Sequence, residues 1–226
     1  GGITWDSTWE SEYREVQQKA AVLYRKQARF KLISTGKISQ KSLLFEDQHL
    51  ERLTKASRYF TFPFDPEYLR QKIEEECQAC DSHQDYRLRI SLSKSGEMEL
   101  SRQNLTPLSP TFCKAKLCLQ EADLQQAFTY FKTTHRPHLS LGEQEIIYHN
   151  AAGELLETSI GNLVLKIAGK LYTPPTSLGI LPGIYRQRLM EREQVEEKVL
   201  TLKDLAQAET IYGCNAVRGL YELEVI

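Results

Sequence analysis

Four segments of the 226-residue chain combine ionisable side chains with tight turns, and each suggests a chemistry. In Tyr130-Phe131-Lys132-Thr133-Thr134-His135-Arg136 a lysine follows two aromatic residues. Partial loss of water there would lower the amine's pKa and favour Schiff-base formation. The plainer alternative is a solvated surface lysine. Glu157 follows Leu155 and Leu156 at what reads as a strand end, where a buried carboxylate needs a cationic partner and an exposed one needs nothing. Ser177-Leu178-Gly179-Ile180-Leu181-Pro182-Gly183-Ile184-Tyr185-Arg186 is a glycine-containing loop running into a helix, whose free N–H groups can hold a phosphate. Cys214-Asn215-Ala216-Val217-Arg218-Gly219 offers a further anion contact through Arg218, unless that arginine is only a surface charge.

These segments need a scaffold. Trp9, Tyr13, Val16, Ala20 and Leu23 recur at helical spacing after a cap at Asp6 or Ser7, so a first helix with one apolar stripe is expected. Phe30 to Ile33 and Ser42 to Phe45 read as short strands around a polar turn, followed by a helix from His49 to Phe60. Thr61-Phe62-Pro63-Phe64 breaks that helix, and Asp65-Pro66 starts another that reaches about Cys80. Tyr86, Leu88, Ile90 and Leu92 alternate with Arg87, Arg89 and Ser91 as in a half-buried strand, which returns through Met98 and Leu100. Arg102 to Pro110, with two prolines and no periodicity, reads as a linker. Beyond it Ala115, Leu117 and Leu119 alternate, two hairpins follow through Ile146 to Leu156 and Leu163 to Tyr172, and a helix follows Pro182-Gly183. Short elements near Val199, Leu205 and Ile211 finish the chain. The expected organisation is an N-terminal helical segment over 1–29, a small α/β lobe over 30–103, a linker over 104–111 and a larger β-rich lobe over 112–226.

Composition narrows the partners. Lysine plus arginine total 29 against 30 acidic residues, so no global field attracts nucleic acid or an anionic membrane, and any anion must be bound locally. No apolar run approaches the roughly 20 residues that span a bilayer, and the first residues lack a signal peptide's pattern, which together suggest a cytoplasmic protein. The five cysteines are an odd number and suit reduced thiols. Cys77 and Cys80 form a single CxxC without a second pair of ligands, so no metal is expected; helical spacing with Leu69 and Ile73 puts both thiols near a buried face.

Taken together and in order, the chemical segments resemble the fold-type IV pyridoxal-phosphate enzymes, the class IV aminotransferases, over roughly Phe30 to Tyr221. The most specific stretch is Glu157-Thr158-Ser159-Ile160-Gly161-Asn162-Leu163, continuing to Thr173-Pro174-Pro175 and Gly179 to Arg186, and His49-Leu50-Glu51-Arg52-Leu53 supplies an HxxRL element upstream. Within the family, Lys132 to Arg136 and Asn215 to Gly219 are most similar to the aminodeoxychorismate lyases, especially those fused to aminobenzoate synthase component I. Gly1 to Ser7, Glu12-Tyr13 and Lys19-Ala20 resemble the end of that synthase's chorismate-binding domain. Ser34 in place of glutamate, Lys37 in place of arginine and Val164 after Asn162-Leu163 depart from common family residues and bear on substrate choice.

The resemblance implies a two-lobed α/β (α+β) fold like that of D-amino acid aminotransferase, bound pyridoxal phosphate and a homodimer. Lys132 would carry the cofactor and act as base, Glu157 would face the pyridine nitrogen, and Arg52 would pair with the phosphate. Backbone N–H groups of Ile184 and Tyr185 and the Asn215-Ala216 turn would assist Arg52. Arg136 and Arg218 would take the two substrate carboxylates, with Thr35 and Lys37 lining the small-lobe side. The implied reaction converts 4-amino-4-deoxychorismate to 4-aminobenzoate and pyruvate. The alternatives are an aminotransferase for branched-chain or D-amino acids, which needs a 2-oxo acid acceptor, and a noncatalytic lobe that supports a synthase partner through the Trp9 to Leu23 stripe.

Overall fold

A computed structural model describes residues 29–120, 127–140 and 142–226. The stripe from Trp9 to Leu23 lies outside them. The first sheet has the order β2-β1-β3-β4, all antiparallel, from β1 (Leu32–Ser39), β2 (Ser42–Leu43), β3 (Tyr86–Leu92) and β4 (Met98–Asn104). Strand β1 is longer than its apolar residues suggest, because it pairs with β3 along its length, from Leu32 opposite Leu92 to Ile38 opposite Tyr86. Its polar middle, Ser34 to Lys37, is held by that ladder rather than by its own hydrophobicity. Gln40 and Lys41, both at positive φ, turn the chain into β2. Phe45 is also left-handed, so Leu44 and Phe45 leave the strand expected for them and helix α1 starts early, at Glu46–Phe60.

Helix α2 (Pro66–Gln78) begins as its sequence demands. The Asp65 carboxylate accepts the N–H groups of Glu67 at 3.0 Å and Tyr68 at 3.2 Å, and Pro66 occupies the first turn. Both helices bury Leu50, Leu53, Leu69 and Ile73 against Leu32, Ile38, Leu88, Ile90 and Leu92 of the sheet. Cys77 and Cys80 complete this core, and burial raises the Cys77 thiol to about 11. The opposite sheet face carries Ile33 and Thr35 of β1 with Arg87 and Arg89 of β3, since side chains alternate across a strand.

Arg102 to Asn104, expected in the linker, still pair with β3, so the irregular connection begins only after them. Beyond it lie β5 (Lys114–Leu119), the short helix α3 (Ala127–Tyr130), β6 (Glu145–His149), β7 (Leu155–Thr158), β8 (Asn162–Ile167) and β9 (Lys170–Thr173). Helix α4 (Ile184–Glu191), β10 (Glu196–Glu197), α5 (Leu202–Ala206), β11 (Thr210–Asn215) and β12 (Gly219–Val225) complete the chain. The strand order is β10-β9-β8-β11-β12-β5-β6-β7, and β7 also pairs with β8, so six strands close into a ring around Ala115, Ile147, Leu155, Leu163, Leu165 and Leu223. Strand β12 extends the set of short elements expected at the end of the chain. It and β6 flank β5 in parallel. Parallel neighbours in sequence need a long crossover. Here the crossover from β5 to β6 carries Lys132 to the other sheet. Among the described residues no helix is long and apolar enough to cross a membrane.

Candidate active site

The crossover is stitched to the edge of the first sheet. Ile33 donates its N–H to the Lys132 carbonyl at 3.0 Å, Thr134 donates to the Lys31 carbonyl at 2.9 Å, and Leu32 and Thr133 form a bridge. Strand β1 therefore serves as the ledge that fixes the Lys132 backbone between the two sheets. Phe131 turns away into the small-lobe core, and the amine lines a cavity of about 520 Å³. Burial, reinforced by the positive charges of Arg52, Arg136, Arg87 and Arg89, lowers the Lys132 pKa to about 7.

The opposite wall is the turn from β7 to β8. Glu157 pairs with Asn162, and inside that pair Thr158 donates its N–H to the Gly161 carbonyl at 2.9 Å. Gly161 passes so close to the Cys214 carbonyl of β11 that a Cβ would collide with it. Asn162 donates its side-chain N–H to the Leu181 carbonyl at 2.8 Å, which holds the glycine-containing loop at the cavity edge. Gly183 then lies against the Asn162 amide oxygen, again without room for a side chain, and begins α4 with no side-chain cap. The first N–H groups of that helix, Ile184 and Tyr185, are left for a ligand. Arg186 anchors the same helix from behind, donating to the Pro174 carbonyl at 2.9 Å and pairing with Glu197.

Glu157 is buried and its neighbour is Arg136, whose Nη2 lies 3.2 Å from one carboxylate oxygen. Burial raises the Glu157 pKa despite that guanidinium. The sequence reading gave these two residues separate partners, and the folded chain joins them to each other. Arg136 keeps its Nε unpaired. Arg52 donates to the Pro182 carbonyl at 2.7 Å, beside the start of α4, and burial lowers it to about 10. Asn215 accepts the N–H groups of Val217 and Arg218, both at 2.9 Å, so Asn215 and Ala216 form a firm turn on the cavity wall. Arg218 also lines the cavity while donating to the Thr106 carbonyl.

One expected contact differs. Lys37 does not line the cavity: its amine pairs with Asp85 at 2.6 Å, because β1 runs outward past Thr35 to the residue that precedes β3. For Tyr185 the expectation concerned the backbone N–H, which stands at the start of α4, while its ring lies edge-on to Phe45 with centroids 6.0 Å apart. Two other residues escaped the sequence reading, and a third, His49, was named only as the start of a helix and of the HxxRL element. Arg87 and Arg89 line the cavity, although their alternation in β3 was legible and two arginines on one strand face were the available signal. His49 is buried, its Nδ1 is 2.7 Å from the Ser34 hydroxyl, and burial near Arg52 and Lys132 lowers it to about 3.

The cavity thus presents five guanidiniums and one amine to a single carboxylate. It is an anion site with a nucleophilic amine, bounded by a turn that no side chain can fill. Class IV amino-transferases match this sequence over residues 31–226. The chain belongs to that family. A structure provisionally assigned as an amino-acid aminotransferase from Mesorhizobium loti is 27% identical, with a TM-score of 0.76 over 87% of this chain and 100% of that one. One provisionally assigned as a 4-amino-4-deoxychorismate lyase from Legionella pneumophila is 21% identical, with a TM-score of 0.68 over 86% of this chain and 82% of that one, a likeness of fold alone. An uncharacterized protein of Haemophilus influenzae is 34% identical over 68 residues, which span 30% of this chain and 35% of that protein.

The chain is therefore an enzyme of the class IV pyridoxal-phosphate family, with the two-lobed α/β fold of that family and pyridoxal phosphate as its cofactor. The residues present suit that group. Arg52 and the uncapped start of α4 could hold a phosphate dianion, and Lys132 and Glu157 supply an amine and a buried carboxylate on facing walls.

Proposed function

We propose that this enzyme is a lyase that converts 4-amino-4-deoxychorismate to 4-aminobenzoate and pyruvate. The observation that carries the reading is the cationic excess of the cavity. One phosphate would occupy Arg52, and Arg87, Arg89 and Arg218, with the part of Arg136 not taken by Glu157, remain to face a substrate with two carboxylates. Thr35, directly opposite Arg89 in the ladder, lines the same side.

In this reading Arg52, with the N–H groups of Ile184 and Tyr185 and the Asn215-Ala216 turn, would hold the cofactor phosphate, and Glu157 would face the ring nitrogen. When bound, the cofactor supplies an electron sink next to the amine-bearing carbon of the substrate. The Lys132 amine, near half neutral at pH 7, takes the proton from that carbon. Glu157, buried on the opposite wall, would stand against the ring nitrogen and hold a proton there. Loss of the enolpyruvyl group then leaves an aromatic ring, and Lys132 returns its proton to the leaving fragment as it becomes pyruvate. No second substrate is needed. Fusion to or association with aminobenzoate synthase component I, which the N-terminal sequence supports, would deliver the substrate.

The competing activity is transamination, favoured by the 27% identity to the Mesorhizobium loti protein. It would use the same Lys132 and Glu157 with a 2-oxo acid acceptor. Incubating the purified protein with 4-amino-4-deoxychorismate, with and without 2-oxoglutarate, separates the two. Equimolar 4-aminobenzoate and pyruvate without 2-oxoglutarate are expected. Arg87→Gln and Arg89→Gln should each raise KM. Amino acid formed only when the oxo acid is present would refute the lyase reading.

A further inference from the structure

Behind the wall from Ser159 to Asn162 lies a carboxylate that the chemistry above does not use. Glu145 opens β6 and is fully buried. Its neighbours are donors: the Ser159 hydroxyl bonds to one oxygen, the Tyr221 hydroxyl bonds to the other at 2.9 Å, and the backbone groups of Ile146 and Ile160 add two more. Burial and the adjacent carboxylate raise the Tyr221 pKa well above its ordinary value, so this phenol keeps its proton and can only donate it to Glu145. Two separate strands, β6 and β12, and the turn that follows β7 meet on this one group.

Ser159 and Ile160 of this set reach the cavity, and of the two only Ser159 brings a polar side chain. A serine has one hydroxyl proton and two lone pairs. With its proton committed to Glu145, the oxygen offers the cavity only lone pairs. The charged side chains around it are donors, five arginines and Lys132, apart from Glu157, which is already engaged by Arg136. Thr133 is also committed, its hydroxyl donating to the His135 carbonyl at 2.8 Å. We propose that Glu145 is a positioning residue that fixes Ser159 as a hydrogen-bond acceptor toward the cavity, so that this wall selects ligands carrying an N–H or O–H group. The inference rests on the reading of the cavity as a site for an amine-bearing carboxylate, and it adds the group that distinguishes such a ligand from a plain carboxylate.

Two nearly isosteric probes test it on the cofactor-loaded enzyme by calorimetry: 4-aminobenzoate, and 4-methylbenzoate, which replaces the donor with a methyl group. The native protein should prefer 4-aminobenzoate by about tenfold, the scale of one well-made hydrogen bond. Ser159→Ala should bring the two affinities within about twofold while leaving 4-methylbenzoate binding unchanged. Glu145→Gln should also reduce the preference, because a carboxamide can donate to Ser159 and release its proton toward the cavity. In the Ser159→Ala background the same change should leave the ratio where it is. If Glu145→Gln does not fold, Glu145→Asp withdraws the carboxylate by one methylene and takes its place. A preference that survives Ser159→Ala overturns the proposal, and so does one that collapses with Ser159→Ala but ignores both Glu145 variants. Failure of both probes to bind the native protein would instead refute the carboxylate-binding reading beneath it.

Discussion

Among the described lysines, Lys132 should be the one that reacts readily at neutral pH. An ordinary lysine of pKa about 10.5 has roughly one neutral amine in 3,000 at pH 7, whereas an amine at about 7 is near half neutral, an enrichment of order a thousandfold. The cause is burial first and the surrounding guanidiniums second, so it belongs to the folded cavity and vanishes on unfolding. Apoprotein mixed briefly with pyridoxal phosphate, reduced with borohydride and mapped by peptide mass should carry the label at Lys132. Its yield should rise with pH around a midpoint near 7, and urea should abolish the selectivity. Arg52→Gln removes the guanidinium that lowers this amine most and should move the midpoint upward, toward the ordinary value, by a fraction of a unit to about one unit. Lys132→Ala should leave no selective label and no pyruvate release. A midpoint near 10, or label on Lys114 or Lys116, would show that this amine is an ordinary one and refute the mechanism built on it.

Three further outcomes are expected. Arg52→Gln should weaken cofactor binding about 30-fold, the equivalent of roughly 2 kcal/mol for a charge-assisted contact, measured by equilibrium dialysis of the apoprotein. His49 is buried as the neutral ring with a pKa near 3 against about 6.5 unfolded, so the unfolded chain binds more protons between those values and stability must fall as pH drops from 6.5 toward 3. The loss is at most about 5 kcal/mol, and urea unfolding of the native protein and His49→Gln at several pH values should show a flatter dependence in the variant. The homodimer implied by family resemblance should persist at micromolar concentration in sedimentation, and an active monomer would remove that expectation.

Local chemistry made much of the scaffold legible in the sequence. The Asp65-Pro66 start of α2, the alternation of β3 and the hairpin of β8 and β9 are set by capping, side-chain period and turn residues, all of which act over a few neighbours. The order of Arg52, Lys132, Glu157 and Asn215 along the chain was also readable, and the fold brings all four to one cavity. What depended on distant pairing was not. The length of β1 comes from a partner 48 to 60 residues away, and the parallel setting of β5 comes from strands on both sides that the chain reaches later. Whether Lys37 met the cavity or Asp85 turned on where β1 runs past Thr35, and the contact of Arg136 with Glu157 on the path of the crossover from β5 to β6. Arg87 and Arg89 looked like a solvated strand face because side-chain alternation says which residues share a face. Only the second lobe, folding over that face, decides that it is lined with anions' partners rather than with water.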